Sequence, residues 1–320
     1  RRSLVLLKND GLLPLSPDQP LRIAVVGPNA DDPHTQLGDW AGASGQIDWM
    51  PDGHPRHLTS TVLDGLRGLA PAGSTITHAP GAEIAVMTPD PEGACFDDGQ
   101  PRPPVAAPAP VDPALLGQAV AAAQAADVVV AVVGDTLALI GEARSTATLE
   151  LFGAQNDLLE ALAATGKPMV VVLLASKPQV LPPAAMGAAA IINAFNPGMR
   201  GGQALAELIF GLIEPSGRLP VTFARHAGQL PVFYNQLNGQ HGHRYADLTQ
   251  EPLFAFGEGL SYTTVEYADL ELRQREYHQG DTVRARITLR NIGQRPALET
   301  VQAYVRDVVS SVTWAVKELK

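Results

Sequence analysis

The sequence predicts an α/β fold, in which a mainly parallel sheet is sandwiched between helices. Apolar runs without polar alternation recur along the chain, and the longest of them is Val128–Val133. Such runs are typical of strands buried on both faces of a parallel sheet. Helical patterns fall between the runs, so strands and helices alternate as βαβ units. A chain of 320 residues is long enough to fold in this way and to carry a second domain.

The elements of this predicted domain follow one another along residues 21–210. Leu21–Val26 reads as a buried strand, and Thr59–Leu69 as a helix capped by Thr59 or Ser60. Proline and glycine dominate Ala82–Pro110, which predicts an irregular excursion over the surface. The other predicted elements are strands at Ser74–His78, Val128–Val133, Pro168–Leu174 and Ala189–Ala194, and helices at Pro113–Ala126 (with proline in its first turn), Ala154–Ala164 and Gly202–Phe210.

The sequence pattern changes after Pro215. Short extended pieces broken by proline predict a strap over residues 216–262 that wraps the α/β domain, with Phe254, Phe256 and Tyr262 as packing anchors. From Thr263 the residues alternate as in antiparallel strands with one solvated face, which is typical of a β-sandwich. A sandwich needs about 100 residues. We therefore predict two domains, residues 1–262 and a truncated second domain over residues 263–320.

Composition excludes several classes of protein. The net charge is −10, and no cluster of Lys and Arg is present, which argues against a nucleic-acid partner. The single cysteine, Cys95, excludes an internal disulfide framework and a cysteine-rich zinc site. No apolar run approaches the ~20 residues that cross a bilayer, so we predict no membrane partner. Nothing at Arg1 resembles a signal peptide, and we interpret the chain as a fragment of a longer polypeptide.

A carboxylate follows the longest strand. Ligands in open α/β sheets lie beyond the carboxyl ends of the strands, and Glu142 falls in the loop that leaves the Val128 strand. Asp39 and Trp40, together with Trp49, lie in a polar loop after the first strand. Because sugars stack on aromatic faces and bond to carboxylates, this loop is a candidate substrate-binding segment. Packing of the tryptophan onto the domain is the alternative interpretation.

Other chemistries lack their motifs. The first strand is not followed by G-x-G-x-x-G, which disfavours a dinucleotide cofactor, and no G-x-S-x-G marks a nucleophilic serine. The histidines, including His241 and His243, do not have the spacing of metal ligands. We therefore predict neither a metal nor a cofactor.

Eight blocks of the chain form a series in one order: VLLKNDGLLPL (Val5–Leu15), RIAVVGPNAD (Arg22–Asp31), TVLDGLRGL (Thr61–Leu69), VVVAVVGDTLALIGEARSTATLELFGAQ (Val128–Gln155), ATGKPMVVVLLASKP (Ala164–Pro178), NPGMRGGQALAELIFG (Asn196–Gly211), PSGRLPVTF (Pro215–Phe223) and PLFAFGEGLSYT (Pro252–Thr263). The series resembles the C-terminal part of glycoside hydrolase family 3 enzymes, the β-glucosidase and β-xylosidase group. The tail resembles the fibronectin type III-like domain that follows in many members.

The resemblance implies a six-stranded sheet and a retaining, exo-acting β-glycosidase, most simply a β-glucosidase. It implies that a missing N-terminal (β/α)8 barrel holds most of the sugar pocket and the nucleophilic aspartate. The general acid/base of the family matches Glu142, so this chain alone is predicted to be inactive. A general acid must keep its proton, and the apolar neighbours Leu139 and Ile140 favour the neutral carboxyl by desolvating it. Family resemblance also implies a periplasmic or secreted protein.

The chain departs from the family pattern at several positions near this loop. Thr146 replaces a common arginine, with Arg144 two positions earlier, and Phe152 replaces a proline. Ser176-Lys177 replaces the usual Gly-Arg before Pro178, and in the PG-x-x-GG block Arg200 falls where an acidic residue or Gln is common. These changes bear on which sugar and linkage are preferred. The alternative function is a non-catalytic carbohydrate-binding or interaction module, because a fold does not by itself establish chemistry.

Overall fold

The computed structural model describes residues 1–41, 53–142, 144–237 and 245–320. Trp49 and the pair His241 and His243 lie outside these ranges. Within them, the strands are β1 Val5–Asn9, β2 Arg22–Val26, β3 Thr75–Ala79, β4 Ala85–Thr88, β5 Val105–Pro108, β6 Val128–Gly134, β7 Met169–Leu174, β8 Ala190–Asn193, β9 Val265–Leu272, β10 Ala285–Asn291, β11 Tyr304–Val305 and β12 Glu318–Leu319. The α-helices are α1 Val62–Leu69, α2 Pro113–Ala125, α3 Gln155–Ala163, α4 Pro183–Met186 and α5 Gly201–Ile209.

A six-stranded sheet in the order β1-β8-β7-β6-β2-β3 forms the centre of the domain. All neighbours in it are parallel except β1 and β8. Every residue of β6 is buried, and its alternate side chains enter two separate apolar cores. Helices α2 and α3 cover one face, and α1 and α5 cover the other. The predicted α/β class, with a mainly parallel sheet between helices, is confirmed.

Strand β1 adds an antiparallel edge that the sequence did not predict. Its apolar residues were recognised only as a cluster before a turn. In the structure Val5 pairs with Asn193, and Asn9 pairs with Ala190. The partner strand lies more than 180 residues further along the chain, so no local pattern identifies the pairing.

Two further predictions were wrong in detail. Helix α1 begins at Val62 rather than Thr59, because Thr61 accepts a hydrogen bond from the Asp64 N–H and closes a capping box with the Asp64 side chain. Residues 82–110, predicted to be irregular, contain the antiparallel pair β4 and β5, with Ala85 opposite Pro108. The turn between these strands is long and rich in proline and glycine, which hid the pairing.

Residues 216–262, predicted to form a strap, make backbone and aromatic contacts with the preceding part of the chain. The Leu260 N–H donates to the Leu6 carbonyl at 2.7 Å, at the edge strand β1. Phe254 is buried and meets Phe223 edge to face at 6.1 Å between ring centroids. The Tyr262 hydroxyl donates to the Leu208 carbonyl at 2.9 Å. After the strap, β9 and β10 form an antiparallel hairpin whose residues are mostly exposed.

Candidate functional site

The candidate site is built on the end of β6, where the chain leaves the sheet. Gly134 has φ +153, and a Cβ there would lie 1.9 Å from the Leu174 carbonyl oxygen, so only glycine fits. The buried Gln155 side chain accepts from the Gly134 N–H at 2.8 Å and donates to the Gly134 carbonyl at 2.9 Å. It also donates to the Phe152 carbonyl at 2.9 Å. One amide therefore fixes both ends of the loop between β6 and α3.

Within this loop, Glu142 is placed on the surface by a short local structure. Leu137–Leu139 forms one 3-10 turn, and both Leu139 and Ile140 are buried. Gly141 then adopts φ +92, a conformation that favours glycine, and the chain turns outward. Glu142, the next residue, is exposed. The buried residues before it anchor the turn that presents the carboxylate.

Asp135, the first residue after β6, is a buried centre of polar contacts and is 3% exposed. Its Oδ2 accepts from the backbone N–H and the hydroxyl of Ser176, both at 2.9 Å. Its Oδ1 accepts from Gln179 Nε2 at 3.1 Å and forms an ion pair with Lys177 Nζ at 3.1 Å. The same Nζ donates to the Leu139 carbonyl at 3.2 Å. The loops that follow β6 and β7 are thereby joined through one carboxylate.

A cleft of about 880 Å³ opens beside Glu142. It is lined by residues of the Glu142 loop and by residues of the β4–β5 segment. The loop contributes charged and hydroxyl side chains as well as apolar ones, whereas the residues from the β4–β5 segment are apolar. The lining includes Arg144, Thr146 and Phe152 on the loop side, and Met87, Pro104 and Val105 on the hairpin side. The proline-rich segment thus shapes the candidate site.

Asp39 and Trp40 lie on the long connection that follows β2. This connection crosses the carboxyl edge of the sheet, because Thr35 accepts from Asn196 Nδ2 at 3.1 Å beyond the end of β8. Trp40 has φ +60 and is 56% exposed, an unusual backbone for an aromatic residue. Both carboxylate oxygens of Asp39 are shielded from solvent, and neither has a hydrogen-bond partner within the described ranges. The described cleft beside Glu142 does not include either residue.

Among the residues that the structure describes, the apolar neighbours expected to desolvate Glu142 do not enclose it. Leu139 lines the cleft and Ile140 is buried, but both pack into the domain, and the Glu142 side chain stays exposed. Sequence reasoning also missed Asp135 and Lys177 as parts of the site. The available signal is the Ser176-Lys177 pair, because both residues contact Asp135.

Neither a metal site nor a membrane span is found in the described parts of the chain. Residues 1–41, 53–142, 144–237 and 245–320 contain no group of three or more His, Cys, Asp or Glu arranged to hold a metal ion. Over the same ranges, no helix has the length and apolar character to cross a bilayer. Cys95 is a free, exposed thiol.

The model of the glycosyl hydrolase family 3 C-terminal domain matches residues 4–262. The chain belongs to this family. The match takes in the sheet, the Glu142 loop and the strap, and it ends where the β9–β10 segment is about to begin.

Relatives of known name extend the similarity over the whole chain. A periplasmic β-glucosidase of Salmonella typhimurium is 36% identical over all of this chain and 41% of its own length. A β-xylosidase of Formosa agariphila is 34% identical over all of this chain and 40% of its own length. A solved β-glucosidase involved in saponin metabolism from intestinal bacteria superposes with a TM-score of 0.93 at 53% identity, covering 100% of this chain and 45% of that one. This family 3 chain therefore spans less than half the length of these relatives.

Proposed function

We propose that this chain is the acid/base-bearing part of a retaining β-glycosidase, with Glu142 as the proton donor and acceptor. A (β/α)8 barrel of the same polypeptide supplies the nucleophilic aspartate and most of the sugar pocket. The substrate class is a terminal β-linked glycoside, and a β-glucoside is favoured by the names of two of the relatives. The observation that carries the proposal is an exposed carboxylate, held at a strand's carboxyl end by a loop that is fixed at both ends.

The reaction has two displacements. In the first, an aspartate oxygen bonds to the anomeric carbon while the glycosidic C–O bond breaks, and the leaving oxygen takes the proton from Glu142. In the second, water attacks the anomeric carbon, its proton returns to the Glu142 carboxylate, and the aspartate leaves. The two carboxyl groups must lie ~5–5.5 Å apart in such an enzyme. A carboxylate that projects from the surface can reach this distance across a domain interface.

In the proposed enzyme, a surface outside this chain covers Glu142. Leu139 and Ile140 leave the carboxyl exposed, so contact with the barrel and with bound substrate is the source of desolvation. The leaving group lies in the cleft beside Glu142, because the leaving oxygen must be within hydrogen-bond reach of the acid. Asp39 and Trp40 belong to an outer part of the substrate site in this proposal, which is supported by the exposed indole face of Trp40 that is available for stacking; the Asp39 oxygens are shielded from solvent in this chain.

The decisive experiment is Glu142→Ala in the full-length polypeptide. Loss of the general acid should reduce kcat/KM for substrates with poor leaving groups by about 10²–10⁴-fold. Dinitrophenyl glycosides need little protonation and should be affected much less. Azide, which can replace the activated water, should partly restore turnover of the dinitrophenyl substrate and yield a glycosyl azide.

Glu150→Ala, on an exposed residue of the same loop, is the matched control and should leave all three measurements unchanged. Unchanged hydrolysis in Glu142→Ala would overturn the assignment. A protein that binds β-glycosides but never hydrolyses them would instead identify a carbohydrate-binding module. The isolated 320-residue chain should release no nitrophenol from an aryl β-glucoside.

The proposal includes a division of the chain into two domains. Residues 1–262 act as the catalytic C-terminal domain, with residues 216–262 as its strap, and residues 263–320 belong to a fibronectin type III-like domain. We also propose a periplasmic or secreted location, which is supported by the name of the Salmonella relative, a periplasmic β-glucosidase.

A further inference from the structure

Lys177 lies under the Glu142 loop and contacts two separate parts of it. Its ammonium is 3.1 Å from the buried Asp135 carboxylate and 3.2 Å from the Leu139 carbonyl oxygen. Leu139 is the last residue of the 3-10 turn, three positions before Glu142. The lysine side chain is 23% exposed, so most of its aliphatic stem is packed against the protein, and its ammonium group pairs with Asp135.

Asp135 is a firm anchor for this lysine. The carboxylate accepts from the Ser176 N–H, the Ser176 hydroxyl and Gln179 Nε2, and its side chain is only 4% exposed. Bonds of this kind to a buried charge hold the carboxylate in one orientation. The position of the ammonium is then fixed relative to the end of the sheet.

The Leu139 carbonyl is the point at which this anchor reaches the loop. Beyond Leu139, the chain is held by the burial of Ile140 and then turns at Gly141. Lys177 and Ser176 line a small cavity of about 240 Å³ together with residues of the loop, among them Leu139 and Arg144. Two kinds of contact therefore hold the chain just before Gly141: the burial of Leu139 and Ile140, and the hydrogen bond from Lys177 Nζ to the Leu139 carbonyl.

We propose that Lys177 is a positioning residue, which ties the Asp135 carboxylate to the Leu139 carbonyl and so sets the place of the Glu142 carboxyl relative to the leaving oxygen. This inference rests on the proposed acid/base function of Glu142. Ser176 and Lys177, two neighbouring residues, both serve the same carboxylate, one through its hydroxyl and N–H and the other through its charge. Lys177 does not contact substrate; it acts through the loop.

The test uses Lys177→Met and Lys177→Arg in the full-length enzyme, with aryl β-glucosides of graded leaving-group acidity. A shift of ~1 Å in a catalytic group can reduce the rate by about 10²-fold. Lys177→Met should therefore lower kcat/KM for phenyl or alkyl glucosides by roughly tenfold or more. Dinitrophenyl glucoside, which needs little acid assistance, should change by less than about threefold. Lys177→Arg keeps a cation and should retain most of the activity on all substrates.

Lys167→Met is the matched control. Its ammonium also donates to a backbone carbonyl, that of Ala126 at 2.8 Å, but it lies just before β7, at the amino edge of the sheet. The ratio of rates for the two substrate types should not change in this variant. The double variant Asp135→Asn/Lys177→Met removes the charge left buried by the single change, so folding can be separated from positioning. It should show the same dependence on leaving group as Lys177→Met.

The outcomes distinguish the two proposals. If Glu142→Ala shows leaving-group dependence and azide rescue but Lys177→Met slows all substrates equally, or none, the positioning role is overturned and the acid/base role stands. If Glu142→Ala itself lacks both effects, the proposed function fails first. The inference is supported if kcat/KM depends more steeply on leaving-group acidity in Lys177→Met and in the double variant than in the wild type. Lys177→Arg should show the wild-type dependence.

Discussion

Single charged residues stabilise the sheet where β2 and β6 begin. The Arg22 guanidinium bonds to the Asp127 carboxylate, and the Arg22 N–H also donates to Asp127 Oδ2 at 2.9 Å. These hydrogen bonds lower the pKa of Asp127 to about 2. The Asp127 N–H donates in return to the Arg22 carbonyl at 2.8 Å. One residue pair thus fixes the start of two neighbouring parallel strands.

This pair predicts a pH-dependent contribution to stability. A lowered pKa favours folding above the unfolded value of about 3.9, and the contribution disappears as the pH falls through about 2. Asp127→Asn should therefore lower the denaturant midpoint at pH 5 and 6. The difference from the wild type should shrink towards zero between pH 4 and pH 2. Denaturant unfolding followed by circular dichroism at each pH measures it.

Arg22→Met removes the other half of the pair and should give the same pH profile. A gap between wild type and Asp127→Asn that is as large at pH 2 as at pH 6 would contradict the assignment.

Among the elements, helices α1 and α5 approach more closely than ordinary side chains allow. A Cβ on Gly65 would lie 2.0 Å from the Gly202 carbonyl oxygen, and one on Gly202 would lie 1.7 Å from the Thr61 carbonyl oxygen. Neither contact can be relieved by moving a flexible side chain, because the obstacles are backbone atoms. The two glycines therefore set the distance between helices α1 and α5. Both helices pack into the same apolar core against the sheet, so this distance also affects how each helix packs on the sheet.

Gly65→Ala should destabilise the protein by about 1–3 kcal/mol or more, because the helices must separate. Gly68→Ala, on the exposed face of the same helix, has nothing within 4 Å of its Cβ. It should be neutral or stabilise by up to ~1 kcal/mol through its helix propensity. Thermal unfolding of both variants gives the comparison. Equal effects in the two would show that close approach is not the cause.

The elements also show what sequence can and cannot predict. The central strands β2, β6, β7 and β8 were predicted because burial on both faces leaves a local signature, a continuous apolar run. Strand β1 and the β4–β5 hairpin were not, because their pairings depend on partners that no local pattern identifies. The start of α1 was predicted too early, because Thr59, Ser60 and Thr61 can all cap a helix and the structure uses Thr61. Glu142 was identified by resemblance, whereas the Asp135–Lys177 contact spans 42 positions and required the fold.

At the scale of the whole molecule, residues 263–320 contact the preceding part of the chain through ion pairs, hydrogen bonds and aromatic rings. Arg218 Nη2 pairs with Glu299 Oε2 at 3.1 Å, and Arg295 Nε pairs with Glu214 Oε2 at 2.8 Å. Gln302 Nε2 donates to the Gly257 carbonyl at 2.8 Å. Two of these contacts link residues 216–262 to the tail, and the third links Glu214, which precedes them, to the tail. The strap is therefore a connector, bonded to β1 on one side and to the tail on the other.

The Arg218–Glu299 pair should contribute most to this attachment, because its two side chains are only 12% and 19% exposed. Glu299 also accepts from the Tyr267 hydroxyl at 2.6 Å on β9. Removing either partner leaves the other charge desolvated, so a double-mutant cycle of Arg218→Met and Glu299→Gln should give a coupling of about 1–3 kcal/mol. Hydrogen exchange of the β9 and β10 amides, in the full-length polypeptide, measures the free energy of opening. The control cycle combines Arg286→Met with Glu271→Gln. These two residues pair within the β9–β10 hairpin, and their side chains are 79% and 59% exposed. Their coupling should be less than ~1 kcal/mol. Equal coupling in the two cycles would mean that the hairpin opens without leaving the strap.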